Sequence, residues 1–120
     1  MPEPKSGDWV YKILRVPEWH AFQSSGRLEG SPDDLRDGFI HLSSATQVPG
    51  TLERYFGSED EIVLVRVAAL PLGSALKWEA ARDGTLFPHL FRALHMNEVA
   101  EAQTLRRGPN GFDLSAVAGT

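Results

Sequence analysis

Glu61-Ile-Val-Leu-Val-Arg-Val67 is a near-continuous apolar run of strand length. A strand of that composition is covered on both faces and belongs in the middle of a sheet. Pro71 and Gly73 end it. Upstream, Trp9-Val-Tyr-Lys-Ile-Leu-Arg-Val16 is rich in β-branched and aromatic residues and stops at Pro17, the pattern of a first strand feeding a helix. Downstream, Leu76-Lys-Trp-Glu79 resumes as a short strand with Leu76 and Trp78 on one side and Lys77 and Glu79 on the other. Arg82-Asp-Gly84 turns the chain, and Phe87-Pro-His-Leu-Phe91 is a further extended piece whose Pro88 marks an edge or a bend.

Helical signals fall between these strands. Pro17 suits a first helical turn, Glu18 adds an early negative charge, Trp19 and Phe22 share a face, and Gly26 is placed to end the segment. Arg27 to Asp37, with Gly30, Ser31, Pro32 and paired aspartates, reads as a surface loop. Gly38-Phe-Ile-His-Leu-Ser43 follows as a strand with Ile40 and Leu42 on one face and Phe39, His41 and Ser43 on the other. Ser44-Ala-Thr-Gln47 has capping-box spacing, and Val48, Leu52, Tyr55 and Phe56 recur at helical intervals up to Gly57. Pro49 leaves two starts open, a helix capped by Ser44 or a short turn with the regular helix beginning near Val48. Asn97 to Leu105 reads as a helical turn and a last strand, or as one helix to Gly108, with the turn and strand preferred. The expected fold is α+β, a single domain with a small split mixed or antiparallel sheet and two or three short helices. Its bounds are a flexible leader over 1–8, the domain over 9–106 and a tail over 107–120.

Composition narrows the function classes. The chain has 120 residues, 42% of them hydrophobic, enough for one core and no second domain. Twelve Lys and Arg against sixteen Asp and Glu give −4, so neither phosphate backbones nor anionic lipid surfaces attract it in bulk. Cysteine is absent, which removes disulfides, thiolate metal sites and thiol nucleophiles and fits a reducing compartment. No targeting segment or apolar run of membrane-spanning length occurs, so a cytoplasmic protein with a loose amino terminus is expected. A small-molecule ligand is the expected partner, and oligomeric state is left open.

Polar residues concentrate beside aromatics in two places. Asp37, His41, Ser43 and Ser44 form one set, and Glu79, Arg82, His89 and Arg92 the other. If the two strands meet, His41, Glu79 and His89 share a pocket suited to acid–base chemistry. Each has a structural reading as well: His41 as a semi-buried histidine bonded to backbone, Ser43 and Ser44 as helix caps, Trp78 as core, and Glu79 as the solvated partner of Lys77 or Arg82. A cap and an anion site are compatible, since both use free N–H groups at a helix start. His20 and His95 read as surface residues. Phosphate-binding glycine loops, nucleophile elbows, calcium loops and paired metal histidines are all missing, and no metal is expected.

Tyr11-Lys-Ile13, Asp37-Gly-Phe-Ile-His-Leu-Ser-Ser44 with Gln47-Val-Pro49, Leu76-Lys-Trp-Glu79 and Phe87-Pro-His-Leu90, in that order, resemble the domain of unknown function 952 family over residues 9 to 106. The resemblance implies an α+β fold related to ADP-ribosyltransferases and RNA 2′-phosphotransferases, in which a split sheet holds a nicotinamide-nucleotide cleft. It further implies that His41 orients or stacks on a bound ring, that Ser43 bonds the amide of that ring, and that Glu79 or His89 takes the catalytic corner. Phe39, Ser44, Trp78 and Arg82 complete the ligand-binding set. NAD or a related nucleotide is the cofactor class implied, on resemblance alone.

Overall fold

The computed structural model describes residues 8–81 and 83–114. In chain order it contains β1 (Trp9–Leu14), α1 (Val16–Ser25), β2 (Arg27–Leu28), α2 (Pro32–Asp37), β3 (Ile40–His41) and, after a 3-10 turn at Ala45–Gln47, α3 (Val48–Tyr55). Then come β4 (Glu61–Ala68), a 3-10 segment at Leu70–Ala75, β5 (Leu76–Ala80), β6 (Leu86–Leu90), β7 (Leu94–His95), a 3-10 turn at Met96–Glu98, β8 (Val99–Gly108) and β9 (Gly111–Phe112).

The strands form a split, curled antiparallel architecture. One sheet has the order β1-β4-β8-β9, a second the order β3-β6-β5, and β2 pairs with β7 as a two-stranded ribbon. The apolar run at 61–67 is indeed interior. Val63, Val65 and Val67 enter a core with Val10, Leu14, Phe22, Ile40 and Leu90, while Ile62 and Leu64 enter a second with Ile13, Val48, Leu52 and Leu105. The two cores lie on opposite faces of one sheet, as strand alternation requires. No helix among the described residues is long and apolar enough to cross a membrane.

The segment after α2 joins the two sheets. Ile40 and His41 pair with Leu90 and His89, Leu42 N–H donates to the Pro88 carbonyl, and Ser43 exchanges backbone bonds with Tyr11 on β1. The expected strand over 38–43 is therefore cut to two residues, because its second half changes partner. Ile40 and Leu42 do face the core.

Other expectations are also revised. Residues 27–37 are not all loop: β2 and α2 lie within them. In α2, Pro32 takes the first turn, Ser31 caps, and the Asp34 carboxylate reaches back to Ser31 N–H at 3.0 Å, a capping box closed by aspartate in place of Glu or Gln. Gly38, at φ +85°, ends the helix. Pro88 sits in the middle strand of its sheet rather than at an edge. The sheet tolerates it because Pro88 lies opposite the point where β3 has ended, and only its carbonyl is asked for. Met96–Glu98 and β8 match the turn-and-strand reading, and the β8–β9 hairpin carries pairing past residue 106. Of the leader, residues 1–7 lie outside the described residues, as do Arg82 and residues 115–120 of the tail.

Candidate functional site

His41 and His89 are cross-strand neighbours in the β3–β6 pair, and β5 lies on the other side of β6. Alternation puts His41, His89, Phe87, Lys77 and Glu79 on one face and Ile40, Leu90, Pro88, Trp78 and Leu76 on the other. The expected trio is thereby brought together. The two imidazole centroids are 5.5 Å apart, and His89 Nδ1 lies 2.8 Å from Glu79 Oε1. Phe39 stacks on the His89 ring at 4.0 Å and tilts against His41 at 4.7 Å, which fixes both rings.

His41 is held from behind by a buried ion pair. Its Nδ1 is 2.6 Å from Asp34 Oδ1, and its backbone N–H donates to the same oxygen at 3.1 Å. The other Asp34 oxygen takes Lys12 Nζ at 2.9 Å, and Lys12 also donates to the His41 carbonyl at 3.2 Å. The Asp34 side chain is only 1% exposed. Burial pushes its carboxyl up, yet the His41 hydrogen bond, the Lys12 charge and the Ser31 amide together hold it well below the usual carboxylate range. An ionised Asp34 accepts only, so the Nδ1 proton stays on His41 and its Nε2 faces outward, 3.1 Å from Asp37 Oδ2. Asp37 is exposed and is itself held below its ordinary value, chiefly by hydrogen bonding to Arg36. His89 has its Nδ1 on Glu79 and no partner for Nε2 among the described residues.

His41 and His89 border a cleft of ≈ 620 Å³, lined also by Ser43, Thr51, Arg54 and Tyr55, whereas Phe39 and Glu79 hold the rings without lining it. Buried Ser43 has its hydroxyl on Thr51 Oγ1 at 3.1 Å. Gln47 is locked across the cleft wall, donating to the Leu86 carbonyl at 2.7 Å and accepting from Ser44 N–H at 2.9 Å. Among the described residues Arg54 has no ion pair, whereas Arg15 pairs with Glu59 and Arg36 with Asp33 and Asp37.

Two expected ligand residues do not reach this face. Trp78 points with Leu76 into the opposite side of the sheet, against the core. Ser44 caps the 3-10 turn, its hydroxyl on Thr46. Arg92 is also elsewhere, in a two-bond pair with Glu98. His20 and His95 are exposed. Lys12 and Asp34 were not anticipated. The available clue was Lys12 itself, at an inward position between Val10 and Leu14, since a lysine at a core position needs a buried counter-charge. No group of three or more His, Asp or Glu among the described residues is arranged to hold a metal ion.

The family described as Protein of unknown function (DUF952) matches residues 13–102, from the last two residues of β1 to the first four of β8, and includes Asp34, Asp37, His41, Glu79 and His89. The chain belongs to this family. This DUF952 chain is also 45% identical to protein CC0527 from Caulobacter crescentus, whose X-ray structure aligns with a TM-score of 0.86 over 92% of this chain and 98% of that one. The solution NMR structure of CC0527 aligns at 46% identity and a TM-score of 0.78, covering 87% and 90%. No curated protein matches the DUF952 chain.

Proposed function

We propose that the cleft binds a small nucleotide-like or other anionic aromatic ligand, and that His41 and His89 act on it as an acid–base pair in a transferase or hydrolase reaction. The observation that carries this reading is two imidazoles side by side over one cleft, each with Nδ1 held by a carboxylate. A carboxylate behind a histidine sets its tautomer and ring orientation, the common requirement of general acid–base catalysis. Glu79 and Asp34 are then positioning groups. Ser43, with Thr51, offers hydroxyls at the floor, Arg54 offers a cation for a ligand anion, and Tyr55, 60% exposed, offers a ring to stack on. NAD and related nucleotides are the first class to test, because the likeness to the domain of unknown function 952 family implies a fold related to ADP-ribosyltransferases.

The test is a melting-temperature and tryptophan-fluorescence titration with NAD, ADP-ribose and mononucleotides. A true ligand at about 100 times its Kd adds about 2.7 kcal/mol of stability. A flat response across the panel would count decisively against the reading. A binding module without turnover is the second reading, favoured by both ring nitrogens of His41 already facing carboxylates. It predicts a ligand-induced shift with no new product by mass spectrometry.

A further inference from the structure

We infer that Asp37 is an internal stand-in for an acidic group of the ligand: it covers the outer nitrogen of His41, and a carboxylate or phosphate engages His41 by displacing it. The inference rests on the ligand reading above and specifies the chemistry that meets His41. The two carboxylates on this ring differ in kind. Asp34 is sealed in, 1% exposed, and bound to Lys12, to the Ser31 amide and to both N–H groups of His41. Asp37 is 32% exposed and stands at the last residue of α2, where the helix's carbonyl end disfavours negative charge. Neither burial nor helix capping accounts for its position.

Two side chains do hold it. His41 Nε2 is 3.1 Å from Oδ2, and Arg36 Nε donates to Oδ1 at 3.1 Å. An imidazole and a guanidinium converging on one carboxylate make an oxyanion cradle, occupied here by the chain's own side chain. Arg36 is 68% exposed, so the cradle opens to solvent. Asp33, the remaining acid on Arg36, lies 3.2 Å from it on the same helix.

Acylation of histidine by diethyl pyrocarbonate at neutral pH, mapped by peptide mass spectrometry, reads the access to Nε2 directly. Asp37→Ala and Asp37→Asn are each expected to speed modification of His41 by about tenfold or more, the factor set by losing a hydrogen bond to a charged acceptor. His89, whose Nε2 has no partner among the described residues, should keep its rate and serves as the internal control. Adding inorganic phosphate or acetate to the Asp37→Ala protein should slow His41 modification again. Protection by phosphate alone would mark a phosphorylated ligand, and protection by acetate alone a carboxylate. Equal His41 rates in wild type and both variants would overturn the proposal, and so would a raised rate that neither anion reverses. Because no nucleotide enters this experiment, its failure is distinct from failure of the ligand titration.

Discussion

Asp34 has 1% of its side chain exposed, so no water can replace a lost partner, and Lys12, 8% exposed, is equally committed to it. Breaking such a pair strands a buried charge, which typically costs about 3–5 kcal/mol. Asp34→Ala and Lys12→Met are each expected to show that loss in urea unfolding. The double variant Lys12→Met with Asp34→Ala should lose less than the sum, because neither charge is then left buried without the other, and only the N–H groups of Ser31 and His41 lose their acceptor. Strict additivity would show that the two are not coupled. His89 behaves differently. Its ring is stacked on Phe39, yet its charge partner Glu79 is largely exposed, so His89→Ala is expected to cost about 1 kcal/mol of stability. The same variant should abolish any ligand-induced rise in melting temperature. Of these residues His41, Glu79 and His89 could be named from residue type and strand alternation, but Asp34 sat among turn-forming neighbours and gave no sign of burial.

At the scale of elements, α2 is the piece that assembles the site, because it delivers Asp34 inward and Asp37 outward from two successive turns. Six residues are too few to display helical periodicity, and their Pro-Asp-Asp composition imitates a loop, so α2 was hidden. Its docking depends on Gly30. At φ +128° and with an added Cβ placed 2.5 Å from the Asp34 Cβ, Gly30→Ala must either strain the backbone or push the carboxylate off His41. Thermal unfolding should register a loss of about 1–3 kcal/mol, and the amide of His41 should lose hydrogen-exchange protection. A variant as stable as wild type would mean that the chain at 30 can shift freely. By contrast, β6 is secured through its inward side: Leu90 is fully buried in the larger core, and Leu90→Ala is expected to cost about 2–5 kcal/mol by chemical denaturation.

For the molecule as a whole, the depressed Asp34 carboxyl becomes a pH dependence of folding. The unfolded chain takes up that proton at the ordinary carboxylate value near 4 and the folded chain only at lower pH. The contribution is thus complete above about pH 5 and is lost progressively as pH falls below about 4. Unfolding free energy should therefore fall more steeply on acidification in wild type than in Asp34→Asn, and parallel curves would contradict the assignment. The chain's own order of residues determined the α+β class, the interior strand at 61–67, the helices at 16–25 and 48–55, and the inward side of Ile40 and Leu42, because period and composition within one segment report its burial. It also supplied the motifs by which the family was anticipated, and residues 13–102 match that family. Only the tertiary structure decided that the segment at 39–43 passes from one sheet to the other, that His41 and His89 become cross-strand neighbours, and that Lys12 meets Asp34 behind His41. Those outcomes depend on contacts between residues far apart in the chain, where desolvation and the pairing of opposite charges choose the partner and local pattern has no say.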